Sequence, residues 1–406
     1  MKPAPAAVVF GMLEHGHIKR LLPIVSGLVG AGVRTHVFTD VRFRAEVEAA
    51  GGRHVDLFRG RPLDGADGAS IPIPCRYVSF AGHYAEQVVA EAAALGPSLV
   101  VHDTFAVIGA VVAGHLGLPR VNVCVGHNHA PGPTLEDLRD DPRVAIAGEC
   151  FRAVEALRER HHLPDASPFS YVTALSPQLN LYCEPPEYLR EEERRPFEPM
   201  AFVGSLSDAT IGRPPPAVPP FGEDAAEKLR VYVSFGTVIW RYYAAAAWRA
   251  LEAVSDALAA TREARGLVSL AGAPPGAGAG RLARRNVRVE NYVDQWSVLG
   301  AASVFITHQG LNSTHEAAFR GVPMISYPFF ADQPALSRRC EELGLAVPLV
   351  GEPRGPVTAD DVHAAVARVV ERREGFRARL TEARSWELAV MAGRPQVVER
   401  ILALIA

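Results

Sequence analysis

The segment Arg213-Pro-Pro-Pro-Ala-Val-Pro-Pro-Phe-Gly222 limits what this chain can fold into more than any other stretch. Proline fixes φ and lacks a backbone N–H, so such a run can be neither helix interior nor central strand. It reads as a stiff linker near the middle of 406 residues, a length at which one hydrophobic core normally gives way to two. The same alternation stands on either side of it. Before the linker, apolar strands are predicted at Ala6–Leu13, Arg34–Thr39, Ser98–His102, Pro119–Val125 and Gln178–Cys183, with helical runs between them. The first of these helices is expected over Ile18–Ala31, closed by Gly32. After the linker, strands are predicted at Arg230–Phe235, Leu267–Ala271, Asn286–Glu290 and from Val304, with helices over Ala244–Ala260, Pro334–Leu343, Thr358–Arg373 and from Arg377. The expected class is α/β: two Rossmann-like, doubly wound parallel-sheet domains, residues 1–212 and 223–385, joined by 213–222. Residues Arg59–Arg76, rich in Gly, Asp and Pro, read as a long surface loop.

Bulk properties exclude several classes. A net charge of −3 and a pI near 6.5 give no electrostatic footprint for nucleic acid or an anionic membrane. Five scattered cysteines, never in CxxC spacing, build neither a disulfide framework nor a zinc site. No run of about 18 apolar residues is present to span a bilayer as an integral membrane segment, and the first residues lack a secretory h-region. A cytoplasmic protein, monomer or homodimer, is the expectation. The fingerprint G-x-G-x-x-G is absent after the first strand, where Gly11-Met-Leu-Glu-His-Gly16 stands instead, so a dinucleotide oxidoreductase is disfavoured.

The polar residues with most chemistry gather at predicted strand ends. In Val304–Gln333, His308, Gly310, Asn312 and Ser313 stand where a helix should begin. Unpaired N–H groups and the positive end of the macrodipole favour a phosphate there. Glu316 falls one turn further on, and Asp332-Gln333 lies past the next strand, where α/β sheets place ligand groups. Asp332 is equally suited to cap the helix that follows. Gly236-Thr237 forms the tip of another strand, where a backbone N–H and a hydroxyl can approach a phosphate. In the first half, His17 lies in the first strand-to-helix turn and Asp103 just beyond a strand end. Together they could form a general base and its orienting carboxylate. His102 should point the opposite way, as a structural residue. His15 and His17 form an HxH pair with no third ligand at a recognisable spacing, so no metal site is expected.

The pattern HQGLNST…E…GVP…P…DQ resembles the donor-sugar box of nucleotide-sugar-dependent glycosyltransferases of the GT-B fold, close to its plant form. The resemblance implies two Rossmann-like domains facing across a cleft, with the last helix (386–406) packing back on the first. It implies that His308, Gly310, Asn312, Ser313 and Thr237 hold the diphosphate of a UDP- or TDP-sugar beside Gly236, and that Glu316 holds the ribose. The box's W-x-P-Q is Tyr292-Val293-Asp294-Gln295 here, so Tyr292 would stack on the nucleotide base. Gly16-His17 with Pro23 is similar to the family's GHxxPxxP opening, with Arg20 at the first proline, and Asp103 matches its catalytic aspartate. The reaction so implied is inverting, metal-independent transfer, without a cofactor, to a hydroxyl or less often an amine of a small lipophilic natural product. An antibiotic precursor would be one such acceptor. Phe80, Tyr84, His127 and the Arg59–Arg76 loop are the candidate acceptor lining, although ordinary core or loop is the better reading of each taken alone. A lipid-linked sugar transferase, a nucleotide-sugar epimerase and a non-catalytic auxiliary protein share the fold and remain alternatives.

Overall fold

A computed structural model describes residues 4–222, 225, 227–273 and 278–405. The chain divides into two compact units. One runs to Ser207 and resumes at Val390, and the other is Asp208–Ala389.

The first unit is built on a parallel sheet of seven strands: β1 (Ala6–Phe10), β2 (Arg34–Thr39), β3 (Arg53–Asp56), β4 (Leu99–Asp103), β5 (Arg120–Cys124), β6 (Leu179–Tyr182) and β7 (Met200–Phe202). Their order is β3-β2-β1-β4-β5-β6-β7. Continuous apolar runs such as Ala-Ala-Val-Val-Phe in β1 form central strands because helices cover both faces. Alternate residues then feed two separate cores. Val8, Phe10 and Val100 join the helices Pro74–Ala93 and Val107–Leu116. Ala7, Val9, Leu99 and Val101 pack with the helix His15–Gly30 and with Val397 and Ile401 of the last helix, Arg394–Leu402. This parity decides the directions of the next two side chains on β4. His102 follows Val100 to one face; Asp103 follows Val101 to the face that carries His15–Gly30.

The second unit holds a parallel sheet of β8 (Leu229–Ser234), β9 (Ala264–Ser269), β10 (Val287–Glu290), β11 (Val304–Thr307), β12 (Met324–Ser326) and β13 (Ala346–Pro348), in the order β10-β9-β8-β11-β12-β13. Residues 213–222 contain neither helix nor strand.

Three local expectations need correction. The first helix starts at His15, not Ile18, so His17 lies in its first turn rather than before it. Asp103 is the last residue of β4 instead of the residue after it. Part of the Arg59–Arg76 segment is helical, with Leu63–Ala66 and the start of Pro74–Ala93 inside it. Asp67 holds that turn by accepting hydrogen bonds from the Ala69 and Ser70 N–H groups. The Pro- and Gly-rich segment Ala273–Gly280, which its composition marks as a loop, lies partly outside the described residues.

His102 is fully buried, its Nδ1 3.0 Å from the Asp103 carbonyl oxygen. A Cβ on Gly109 would lie 2.3 Å from the His102 Cβ, an atom fixed by its strand. Gly109→Ala should therefore force β4 and its helix apart and destabilise the protein by about 1–3 kcal/mol. An unchanged urea midpoint would contradict this packing.

Candidate functional site

In the first unit, His17 Nδ1 lies 2.8 Å from Asp103 Oδ2; the Asp103 side chain is fully buried and that of His17 is 17% exposed. The other carboxylate oxygen, Oδ1, accepts a hydrogen bond of 2.9 Å from the Phe105 N–H. Both oxygens are thus committed, which fixes the carboxylate and the ring it faces. Nε2 is then the His17 nitrogen left to exchange a proton with a ligand. The Phe105 ring packs 5.2 Å from the His17 imidazole and meets Tyr171 edge-on at 5.2 Å. A small apolar pocket of about 10 Å³, room for about one water, adjoins them, lined by Thr104, Phe105, Gly126, His129, Tyr171 and Leu175 among others.

In the second unit, the corresponding strand ends carry a polar cradle. His308 follows β11, and Gly310 occupies the N-cap of the helix Leu311–Arg320 with no side-chain cap. The N–H groups of that first turn have no intrahelical acceptor. Gly236 follows β8 at φ +73°. A Cβ on Gly236 or Gly310 would stand 2.6 or 2.3 Å from His308 Nε2. Both glycines are therefore needed to admit the imidazole between the two strand ends. The turn itself is held by Gln309, which is fully buried at φ +60°. Its amide donates to Thr314 Oγ1 at 3.0 Å and its carbonyl accepts from Ser326 Oγ at 2.8 Å. One turn into the helix, Glu316 and Ser313 meet Gln295, whose Nε2 lies 2.9 Å from Glu316 Oε2 and 3.2 Å from Ser313 Oγ. Burial pushes the His308 imidazole down to about 4, a shift that the Asp332 carboxylate and then the Ser234 backbone partly oppose. The ring is therefore neutral at pH 7.

Residues 187–376 match the family of UDP-glucoronosyl and UDP-glucosyl transferases. The NDP-glycosyltransferase YjiC of Bacillus subtilis (strain 168) is 24% identical over 388 residues, covering 89% of this chain and 88% of its own. The solved glycotransferase of kitacinnamycin superposes over 100% of both chains with a TM-score of 0.77 at 23% identity. The fold is that of the GT-B glycosyltransferases, and residues 187–376 are similar to the nucleotide-sugar-dependent ones. The glycosyltransferase VinC, solved in complex with dTDP, has the same fold, with a TM-score of 0.65 at 17% identity over 98% of this chain and 99% of its own.

The expected donor residues of this glycosyltransferase fall into a coherent set. His308, Gly310, Asn312, Ser313, Glu316, Gln295, Gly236 and Thr237 all lie at or just beyond the C-terminal ends of β8, β10 and β11. The Tyr292 ring is 66% exposed, so it is not a core tyrosine, and Val293 beside it is half-buried. Asp332 occupies the N-cap of the helix Gln333–Glu342, but its carboxylate makes no capping hydrogen bond. Gln333 departs from expectation. Its Oε1 accepts from the Phe329 and Phe330 N–H groups at 2.9 and 3.3 Å, which leaves only the NH2 for a ligand.

The acceptor candidates need a larger correction. Phe80 and Tyr84 belong to the buried core, the Phe80 ring tilted against those of Phe58 and Tyr84. His127 is buried against Glu184, Nδ1 to Oε2 2.9 Å. None of the three lines the pocket beside His17; Phe105, His129 and Tyr171 do. Phe105 and His129 follow the ends of β4 and β5, so the strand-end rule that selected Asp103 reaches them too. Tyr171 carries no such signal. His15 turns away from His17, its ring 5.9 Å from Phe43. Among the described residues no group of three or more His, Cys, Asp or Glu side chains could hold a metal ion, and no helix is long and apolar enough to cross a membrane.

The buried imidazoles of His102 and His308 set a pH response. Burial lowers both to about 4, whereas an unfolded histidine titrates near 6.5. The unfolded chain therefore binds more protons between those values. This stability is fully present above about pH 6.5 and is lost as pH falls toward about 4, by up to roughly 3 kcal/mol at His102 and less at half-buried His308. Denaturant midpoints between pH 7 and 4.5 should fall more steeply in the wild type than in His308→Asn; parallel profiles would refute a neutral His308.

Proposed function

We propose that this glycosyltransferase moves a sugar from a TDP- or UDP-sugar to a hydroxyl of a small lipophilic natural product, with inversion and without a metal. The observation that carries the reading is the His17–Asp103 pair, with its buried carboxylate and its partly exposed imidazole. In this reading His17 Nε2 takes the acceptor O–H proton as the oxygen attacks the anomeric carbon. The bond from that carbon to the diphosphate oxygen breaks, and the nucleoside diphosphate leaves. Asp103 stabilises the imidazolium that forms. A single displacement inverts the anomeric centre.

The donor is assigned to the second unit. First-turn N–H groups at Asn312 and Ser313, with His308, Gly310, Gly236 and Thr237, would meet the diphosphate, and the helix end favours its charge. Because these donors are neutral and pre-positioned, no divalent ion is called for to stabilise the leaving group. Glu316 would accept from the ribose hydroxyls, fixed by Gln295. Tyr292 with Val293 would cover the base, and Asp332 with the Gln333 amide would hold the sugar. A TDP donor draws support from VinC, solved with dTDP. A natural-product acceptor draws support from the kitacinnamycin glycotransferase, which shares the fold.

His17→Ala should lower turnover about 10²–10⁴-fold, the usual contribution of a general base, while nucleoside diphosphate binding persists. Near-normal turnover would remove His17 from the role. A thermal-shift series should show stabilisation by TDP or UDP, unaffected by EDTA, because a ligand that binds only the folded state raises its apparent stability. Stabilisation by NAD alone would overturn the donor assignment.

A further inference from the structure

Arg20 stands one helical turn after His17 and is only 7% exposed, an unusual place for a guanidinium. Its Nη1 donates a short hydrogen bond to the Val125 carbonyl at the end of β5. That carbonyl belongs to the planar peptide joining Val125 to Gly126. A Cβ on Gly126 would stand 2.6 Å from His129 Nδ1, so the His129 ring rests directly on this peptide. The ring in turn lies parallel to Phe105, with centroids 6.3 Å apart, and Phe105 packs on His17. The contacts therefore close a ring around one side of the pocket: His17, Phe105, His129, the Val125–Gly126 peptide, Arg20, and back through the helix to His17.

The surroundings are charged as well as packed. Burial pushes the Cys183 thiol up to about 12; Arg20 pulls it back, Asp103 and Glu184 raise it further, and Arg394 opposes them. Arg20 therefore shares a buried site with the carboxylate that faces His17. The titratable and charged groups around the two are Asp103 at the end of β4, His127 and His129 after β5, Cys183 and Glu184 after β6, and Arg394 of the last helix.

We propose that Arg20 is a positioning residue for the acceptor side of the reaction: it fixes the Val125–Gly126 peptide, and through it the His129–Phe105 wall of the pocket beside His17. A family-like proline at this position could not donate that hydrogen bond. The functional meaning rests on reading His17 as the base; the geometry does not.

The test needs no acceptor. Histidine Cε1 resonances are followed by NMR from pH 5 to 9 in the full chain, with His17 and His129 assigned from His17→Asn and His129→Asn. In Arg20→Gln the His129 resonance should move, because the hydrogen bond that fixes the peptide beneath its ring is gone. Arg20→Lys keeps the charge but loses the planar fork, so His129 should move there as well. TDP binding in the second unit serves as the folding control. If Arg20→Gln does not fold, the Arg20→Lys pattern alone decides, and an unmoved His129 overturns the proposal. So does a folded Arg20→Gln with the His129 resonance as in wild type. Retained turnover in His17→Ala would instead refute the base assignment and leave the Arg20 result standing.

Discussion

Both halves of the chemistry depend on one constraint of doubly wound parallel sheets, the reversal of strand order. β1 lies between β2 and β4, and β8 lies between β9 and β11. At such a point, consecutive crossovers leave on opposite faces, and the turns after the two central strands spread apart. In the first unit this is visible in the cores. The helix after β1 packs with Ala7 and Val9, whereas the helix after β4 packs with Val8 and Phe10. The opening so created at the carboxyl ends of β1 and β4 carries His17 and Asp103. Its counterpart at β8 and β11 carries Gly236 and the His308–Ser313 turn.

Placing polar groups at these buried strand ends is costly unless each finds a partner. Asp103 offsets this with two hydrogen bonds and Gln309 with bonds to Thr314 and Ser326. Backbone strain gathers at the same places. The non-glycine residues Gln309 and Ala331 adopt φ of +60° and +55° in the turns that carry His308 and Asp332. Left-handed backbone at non-glycine residues persists only where neighbours over-determine it. Gln309 is held from both sides, so the strain serves to aim the turn. The same rigidity explains why His308 needs glycine at both 236 and 310. The imidazole is held by backbone on two sides and cannot retreat.

Sequence reasoning reached the residues whose position follows from local pattern. A helix start after an apolar strand placed Gly310, Ser313 and Glu316 correctly, and strand parity separated His102 from Asp103. It failed where position is set by distant contacts. The start of the first helix moved to His15, with no capping side chain to mark it, since Glu14 makes no cap hydrogen bond. The three-residue strand β13 is too short to carry a pattern of its own. Phe80, Tyr84 and His127 looked like pocket candidates because aromatic and polar character cannot be told from core use without knowing the neighbours. Phe80 has Phe58 and Tyr84, and His127 has Glu184. Tyr171 reaches the pocket from a four-residue helix, Ser170–Thr173, that nothing nearby in sequence connects to His17.

This difference in legibility reflects how the two sites are built. In the proposed reading most of the donor cradle comes from one run, 308–333, with 236–237 and 292–295 beside it, because one helix start, two glycines and a strand end suffice to meet a diphosphate and a ribose. Such a ligand varies little, and its binding leans on backbone geometry that only a narrow set of residues permits. The pocket beside His17 is instead assembled from 103–105, 126–129 and 171–175, with Arg20 behind it. Its shape is set by side chains that can be exchanged without breaking the sheet. Similarity to the UDP-glucosyl transferase family is accordingly concentrated in residues 187–376, which include the whole donor cradle and none of that pocket's core ring. The His17–Asp103 pair is the exception within the first unit. In the proposed reading its chemistry does not vary with the acceptor, and the parity of β4 leaves the carboxylate a single face on which to meet the histidine.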